Sequence, residues 1–494
     1  MSSTHTVDET TSLLASANST TEEHYGRRAH GSPVRPGVEI IWNKELRLLF
    51  GQSTSLAATW LLQYFYNLII ILVASRLGTD ELAAVSVGMI TMNITGYAVF
   101  EGMATSLDTL CAQAYGSGNL KLVGLHMHRM IVFQLLVAVP VGAMWLCSPW
   151  ILKVVVLQQD LPALAGVLLS ISLIGVPGYA IFESGKRFAQ AQGNFNAALI
   201  VLIICAPINL ILSWVFAFRL EWGVPGAALA TALTNDIRPL FLLVYLRHIA
   251  PQTLQCWHPF SKSIFQNWSP MVWLSIPGVV MTLCEWFAFE LLTFTTSYLG
   301  TAPLAAQTFL SSTSVLIWHI PFATSVALST RMGQLIGGGY MTATKKVARI
   351  SCFVFAVVGV LDLMLMVIAL RDVVASVFIR DEAVREIVRT TVAAVAGFQF
   401  FDAVACGVHG IVRGLGAQAI AGWVTFGVNY AYAVPLALVL ELGPPKLGLN
   451  GLWVALGSGL CLVAVIEGVI VKCIDWQRFA IDATKRDEEV ATAG

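Results

Sequence analysis

Two acidic residues stand inside long apolar stretches of this sequence. Glu285 lies in the middle of the stretch 270–298, eight residues after Pro277-Gly278, and Asp402 lies in the stretch 390–411. An ionisable group within a membrane-depth helix by default suggests function, because it is costly to keep there. A carboxyl group removed from water neutralises by taking up a proton rather than remaining charged and unpaired. We therefore expect Glu285, and next Asp402, to carry protons; the alternative for each is a structural hydrogen bond to a neighbouring helix.

Other polar and aromatic residues of the apolar stretches are weaker candidates. Glu290 follows Glu285 by five residues, about 140° around a helix, so the two need not face the same cavity. Gln63 is the mid-stretch polar residue of the first apolar stretch, which has no acid. Trp286 and Trp318 could offer aromatic faces to a cationic cargo, although plain packing is the commoner role.

The remaining buried ionisable residues are expected to be structural. His409 follows Asp402 by seven residues on the same helical face, and His319 reads as a core histidine. Asp108 lies near a helix end, where we expect it to cap the helix or to pair. Asp362 and Glu467 are expected to be isolated within their apolar stretches.

The composition requires a membrane to position these residues. Of the 494 residues, 56% are hydrophobic and 12% are charged, whereas a soluble chain carries roughly a quarter charged residues. A soluble enzyme is therefore excluded. The 29 basic and 29 acidic residues give a net charge of zero, so nothing suggests a nucleic-acid partner.

The apolar stretches predict twelve membrane-spanning helices, numbered here spans 1 to 12. Each has the roughly 20 apolar residues that a crossing needs, and their length argues against the short alternating strands of a barrel. The predicted spans lie near 48–75, 82–106, 125–147, 163–183, 195–218, 225–247, 270–298, 304–330, 349–370, 390–411, 417–440 and 449–472.

The distribution of basic residues predicts the orientation. With the N-terminus in the cytosol, 21 of the 29 Lys and Arg residues fall on the cytosolic side, including Lys186, Arg187 and Arg413. Cytoplasmic connections carry an excess of Lys and Arg, so both termini are predicted to be cytosolic.

The two halves of the chain repeat each other. Five short motifs recur in the same order, at offsets between 219 and 226 residues. The pairs begin at Leu77 and Leu299, Ala104 and Ala323, Gln113 and Gln334, Arg187 and Arg413, and Gly223 and Gly448. Since six spans per half is an even number, the repeats must be parallel, as in transporters that move two bundles around a central site.

The predicted domains follow from the repeat and the polar segments. They are a disordered cytosolic tail over 1–44, an N-lobe over 45–247, an interlobe loop over 248–268, a C-lobe over 269–472 and a cytosolic tail over 473–494. Within the first tail, Glu9 to Leu14 resembles a dileucine sorting signal, which favours the vacuolar membrane. A chance match, and hence the plasma membrane, is the alternative.

The sequence contains no motif of an ATP-hydrolysing or other enzymatic site. It has no GxxxxGK[ST], no nucleophile elbow and no HExxH, so we expect no enzyme activity and no cofactor. The nine cysteines have neither disulfide nor metal spacing. Transport would draw on an ion gradient, and internal acids suit protons or sodium.

Three segments resemble the multidrug and toxic-compound extrusion (MATE) family. Leu107 to Gly116 resembles the first-repeat signature, Cys284 to Glu290 the span-7 motif of the eukaryotic branch, and Phe401 to Gly416 the span-10 motif. The likeness covers roughly residues 45–475, and the long polar tail suggests a fungal protein. It implies an all-α membrane protein of two six-helix lobes arranged as a V.

The resemblance also implies an activity. Family members of this kind export organic compounds from the cytosol in exchange for protons, with the acids matching Glu285 and Asp402 linked to proton coupling. On the same basis Gln63, Trp286 and Glu290 are candidate substrate-binding residues. We expect a monomer whose partners are small organic substrates, protons and membrane lipids. Span 1 lacks the acid and the proline of bacterial members.

Two other functional classes are less consistent with the sequence. A lipid-linked oligosaccharide flippase has a related two-lobe fold but would need a strongly cationic cavity, which the scarcity of Lys and Arg inside the spans disfavours. A receptor or scaffold is disfavoured by the doubled architecture and the intramembrane acids. A sodium-coupled drug antiporter remains an alternative to proton coupling.

Overall fold

A computed structural model describes residues 40–155, 161–368 and 381–492, and all regular structure in these ranges is helical. Within them, twelve helices are long and apolar enough to cross a membrane, which confirms the predicted number. Spans 1 to 6 are Trp42–Leu77, Thr79–Gly116, Leu120–Leu146, Leu161–Ala191, Asn196–Arg219 and Gly223–His248. Spans 7 to 12 are Ser269–Leu299, Thr301–Gly337, Met341–Ile368, Glu382–Leu415, Gln418–Leu442 and Leu449–Cys473.

Several helices extend beyond the predicted apolar windows. Span 2 continues to Gly116, span 4 to Ala191 and span 8 to Gly337. A hydropathy window stops where charged residues begin, but a helix continues as long as its charges find partners inside the protein. The extensions contain Asp108, which is buried, and they therefore add polar helix ends to the interior.

The helices form two six-helix lobes. The N-lobe core runs from Tyr66 of span 1 to Tyr245 and Leu246 of span 6, and it also buries Cys256 and Ile264 of the interlobe loop. In the C-lobe, span 10 is central and packs against spans 8, 9 and 12. A further helix, Trp476–Thr492, packs against spans 8, 9 and 10.

The lobes meet where spans 2 and 8 cross at their ends. A Cβ atom added to Gly116 would overlap the backbone oxygen of Gln334, and one added to Gly337 would overlap the backbone oxygen of Gln113. The two contacts are reciprocal and use residues that the repeat makes equivalent. The lobes are therefore related by a two-fold axis through this crossing, and the parallel repeat is confirmed. Only glycine allows two backbones to approach this closely.

Polar contacts between the lobes surround the glycine crossing. Arg331 of span 8 binds Glu45 of span 1, with 2.6 Å from Nε to Oε1 and 3.2 Å from Nη2 to Oε2. Gln334 donates to the backbone oxygen of Ala191 at 2.9 Å, and Arg486 donates to Gln113 Oε1 at 3.1 Å. The lobes are closed at this side, called the closed side below, which the orientation prediction places in the cytosol.

The glycine crossing gives a test of closure. Gly337→Ala is expected to lower the free energy of unfolding by about 1–3 kcal/mol, because overpacking forces the backbone of span 2 away. Gly397→Ala is the matched control, since a Cβ there meets no atom within 4 Å. Thermal melting of the two purified variants measures the difference. Equal melting temperatures would contradict a close approach of the lobes at this point.

Candidate functional site

A cavity in the C-lobe brings the two principal predicted residues together. It is small and lies between spans 7, 8, 10 and 12. Glu285 of span 7 and Asp402 of span 10 both line it, together with His409 and Arg413. Two carboxyl groups, an imidazole and a guanidinium group thus share one small chamber.

Close packing of span 7 against the N-lobe sets the position of Glu285. Span 7 carries Pro270 in its first turn, where the missing N–H is not needed, and Pro277 inside the helix. A Cβ added to Gly278 would overlap Thr105 and the backbone oxygen of Gly102 in span 2. Because Gly278 is pressed against span 2, the following turns are fixed relative to the lobe interface, and Glu285 enters the cavity two turns later.

Asp402 lies on the part of span 10 that faces the cavity. The helix is buried along most of its second half and ends at Gly416, whose φ of 80° favours glycine. Asp402 is 8% exposed, and its Oδ2 atom has no hydrogen-bond partner. Asp362 of span 9, 2% exposed, also has an unpartnered Oδ2 atom. A buried carboxylate oxygen without a partner is unstable until a proton or a cation joins it.

His409 and Glu467 form a contact that the sequence did not predict. His409 Nε2 lies 3.2 Å from Glu467 Oε1, and the side chain of Glu467 is fully buried in span 12. The expectation that Glu467 is isolated is therefore wrong, because Glu467 and His409 face each other across the lobe. His319, by contrast, contacts the backbone oxygen of Val315 through Nδ1 at 2.6 Å and is a satisfied core histidine, as expected.

A second charged cluster lies in the N-lobe around Glu183 of span 4. The Glu183 carboxylate accepts from Lys186 at 2.8 Å and from Arg187 at 2.7 Å, and it is fully buried. Gln63 of span 1 donates to Glu183 Oε1 at 2.8 Å. The Lys186 ammonium also lies 4.2 Å from the ring centroid of Trp60. Gln63 therefore holds the counter-ion of the cluster in place.

Asp108 connects this cluster to the C-lobe. Its Oδ1 atom lies 3.2 Å from Arg187 Nε, and its Oδ2 atom lies 3.7 Å from Arg413 Nη1. The expectation that Asp108 pairs is confirmed. Arg187 and Arg413 are equivalent in the repeat, so one carboxylate of span 2 lies between corresponding arginines of opposite lobes.

Three basic residues are placed differently from the orientation prediction. Lys186, Arg187 and Arg413 were counted as residues of cytosolic connections, but they lie inside helices and are 1%, 3% and 4% exposed. Glu183 was missed altogether. The spacing of Glu183 from Lys186 and Arg187, three and four residues on, is the pattern of ion pairs on one helical face. That spacing could have identified the cluster from the sequence.

Trp286 and Glu290 do not line the C-lobe cavity. Trp286 is half-buried and Glu290 is exposed, further along span 7 toward the end away from the closed side. The aromatic wall of the cavity comes from Trp318 and Phe322 of span 8. Their rings are stacked, with centroids 4.4 Å apart and an interplanar angle of 20°.

Comparison with known proteins gives a consistent result. The MatE family model matches residues 56–215 and 277–439. The chain is 34% identical over 91% of its length to an uncharacterized transporter of Schizosaccharomyces pombe and covers 83% of it. It is 34% identical to the uncharacterized transporter YDR338C of Saccharomyces cerevisiae over 89% of its length and spans 63% of that protein.

More distant relatives include proteins of animals and a solved structure. Multidrug and toxin extrusion protein 2 of Mus musculus is 30% identical to this chain. The match covers 86% of this chain and 74% of the mouse protein. The crystal structure of the eukaryotic MATE transporter AtDTX14 superposes with a TM-score of 0.83 at 25% identity, covering 90% of this chain and 99% of the other. With its two matched halves, twelve spans and these relatives, the chain belongs to the multidrug and toxic-compound extrusion (MATE) family of membrane transporters, in the fungal part of its eukaryotic branch.

Proposed function

We propose that this protein is an antiporter that exports organic compounds, cationic or polar, from the cytosol in exchange for protons. The observation that carries the proposal is the C-lobe cavity, in which Glu285 and Asp402 face one chamber. The names of relatives such as multidrug and toxin extrusion protein 2 support the export of small organic compounds.

The charges around the cavity support exchange of a cation. Among the residues that line the cavity, Arg413 is the one that is permanently positively charged. The Arg413 guanidinium group also faces Asp108 of the N-lobe. The two lining carboxylates therefore outnumber the positive charges available to them, because Arg413 is shared with Asp108. A site with surplus negative charge in a poorly solvated interior is stable only when protons or a cationic ligand complete it.

Competition for the same carboxylates provides the coupling. When the lobes open to the cytosol, deprotonated Glu285 and Asp402 attract a cationic cargo. After the lobes close at the Gly116–Gly337 crossing and open on the far side, protons neutralise both carboxyl groups. Neutral carboxyl groups bind the cation less well, so the cargo leaves. A ligand can shift such an equilibrium only through different affinities for the two states, and protonation supplies that difference.

The walls of the cavity support an organic cargo. The stacked rings of Trp318 and Phe322 present an apolar aromatic surface beside the carboxyl groups, and aromatic faces attract organic cations. A lipid-linked oligosaccharide flippase is not favoured, because Lys186 and Arg187 of the N-lobe are already paired with Glu183 and Asp108.

The proposal is tested with the purified protein in liposomes and ethidium as the probe cation. We expect ethidium movement when a proton gradient is imposed and none when a sodium gradient is imposed at equal pH on both sides. Dependence on the sodium gradient alone would replace proton coupling with the sodium alternative. Failure of either gradient to move ethidium would contradict export of organic cations.

We place the protein in the vacuolar membrane as a monomer, with the plasma membrane as the alternative. The segment Glu9 to Leu14, which favours the vacuole, lies outside the described residues, as does the rest of the tail over 1–39. Imaging of a fluorescently tagged full-length chain separates the two membranes.

A further inference from the structure

The ionisable groups of the C-lobe form a column that leads from the middle of the membrane toward the closed side. Along span 10, His409 comes seven residues after Asp402, and Arg413 comes eleven residues after Asp402. These separations correspond to about 10 Å and about 16 Å of helix. Span 10 ends at Leu415, beside the glycine crossing of the lobes. His409 thus lies between the Glu285–Asp402 pair and the closed side.

His409 faces two separate spaces. It lines the C-lobe cavity with Glu285 and Asp402. It also lines a second, smaller void together with Thr105 of span 2 and Gln418 of span 11. The second void lies at the interface of the lobes, which must part when the closed side opens. His409, together with Met281 and Arg413, therefore lies between the carboxyl chamber and the region that will become the cytosolic opening.

Glu467 gives His409 the partner that a proton relay needs. Apart from the contact with His409 at 3.2 Å, both carboxylate oxygens of Glu467 lack hydrogen-bond partners. A fully buried carboxylate of this kind is ionised only if the imidazole beside it is protonated. The pair therefore holds one proton, either on the imidazole or on the carboxylate, and both arrangements are neutral overall.

The other groups facing His409 come from three packed elements. Glu285 belongs to span 7 and Arg413 to span 10, while Ser325 of span 8 lines the same cavity without a charge. Thr105 and Gln418 are the polar neighbours in the interface void. Arg413 repels an additional positive charge, and Glu285 attracts it, so a proton on His409 responds to the state of Glu285.

We propose that the His409–Glu467 pair is the relay through which the mid-membrane carboxyl groups release their protons to the cytosol. When the lobes part, His409 gives the proton of this pair to water in the opened interface. A protonated Glu285 or Asp402 replaces that proton on the imidazole, so the pair again holds one proton and the donor carboxyl group is left ionised. The inference rests on the proposed proton coupling and adds the exit path to it.

Ethidium transport in proteoliposomes tests the relay. His409→Gln and Glu467→Gln are each expected to slow proton-driven ethidium transport by about a hundredfold, the usual contribution of a proton-transferring side chain. Exchange of labelled for unlabelled ethidium without any pH gradient is expected to persist, because Glu285 and Asp402 still bind the cation. Glu467→Asp is expected to restore most of the driven rate. His319→Gln is the matched control, a buried histidine outside the cavity.

The outcomes separate the relay from the proposed function. Normal driven transport in His409→Gln, with the wild type still proton-coupled, would overturn the relay and leave the proposed function standing. If the wild type moves no ethidium in response to a proton gradient, the proposed function fails first. The shared proton is then still measurable without cargo, as infrared difference spectra of the purified protein between acidic and alkaline buffer.

The infrared experiment has two decisive results. The carboxyl band that disappears in Glu467→Gln belongs to Glu467, and we expect that band to shift in His409→Gln because its proton partner has gone. A Glu467 band that is identical in wild type and His409→Gln, or no Glu467 band at any pH, would show that the two residues share no proton and would overturn the inference.

Discussion

Glu285→Gln is expected to reduce proton-driven ethidium export to the level of empty liposomes, while the protein still folds and inserts. Glutamine has nearly the shape of a protonated glutamate but cannot release or accept a proton. In the C-lobe cavity the substitution removes one of the two lining carboxyl groups and leaves Asp402, His409 and Arg413 in place. The variant therefore binds the cation less strongly, and a proton gradient cannot change the protonation of position 285 to drive the release of cargo.

The measurement compares initial rates of export under an imposed proton gradient at several pH values. Glu386→Gln is the control, because Glu386 is an exposed residue near the beginning of span 10; we expect it to behave as the wild type. Melting temperatures of both variants report whether folding is intact. If Glu285→Gln kept the wild-type rate and pH dependence, the coupling role of Glu285 would be excluded.

Asp402 adds a second result to the same experiment. Asp402→Asn is expected to lower driven export as Glu285→Gln does, since both carboxyl groups line one cavity. The double variant is then expected to be no worse than either single one, because groups that act as a unit give non-additive losses. Additive partial losses would instead indicate two independent sites.

The fold was predictable because it depends on properties that are readable along the chain. Twelve apolar stretches of sufficient length become twelve helices whatever their partners are, since a backbone in lipid must satisfy its own hydrogen bonds. The repeat was visible in short motifs, and the pair that begins at Gln113 and Gln334 contains the contact at which Gly116 and Gly337 cross. The helix ends were less predictable, because hydropathy falls at Asp108 and Arg413 although both lie inside the protein.

The site was predictable only where a single residue was exceptional in its stretch. Glu285 and Asp402 are acids in otherwise apolar helices, and they meet in one cavity. The contact of His409 with Glu467 joins residues 58 positions apart on different spans, and no local sequence pattern predicts it. The family resemblance implied Trp286 and Glu290 as residues beside Glu285, but helical geometry turns them away from the cavity.

Lys186 and Arg187 show why charge counting misled. A basic residue beside an apolar stretch is interpreted as part of a loop between spans, in contact with water or lipid headgroups. Here Glu183 and Asp108 neutralise the two side chains within the protein, so that the charges can be buried. Only knowledge of which helices pack together distinguishes a neutralised cluster from a solvated one.

The N-lobe cluster provides the largest expected effect on stability. Glu183→Gln removes the carboxylate that binds Lys186 and Arg187 at 2.8 and 2.7 Å. Both basic residues stay buried, and Lys186 is left with Gln63 and the ring of Trp60 as its neighbours. Because breaking a buried pair leaves an uncompensated charge, the free energy of unfolding should fall by about 3–5 kcal/mol.

The origin of that loss is testable with a second substitution. The double variant Glu183→Gln, Lys186→Gln removes the positive charge that the single variant leaves unpaired, and Arg187 keeps Asp108 as its counter-ion at 3.2 Å. We therefore expect the double variant to melt at a higher temperature than Glu183→Gln alone, with Glu386→Gln unchanged from the wild type. If removing the lysine lowered the melting temperature further, packing around Glu183 rather than charge would be what stabilises the N-lobe. Retained stability in Glu183→Gln itself would show that water reaches the cluster and solvates the two bases.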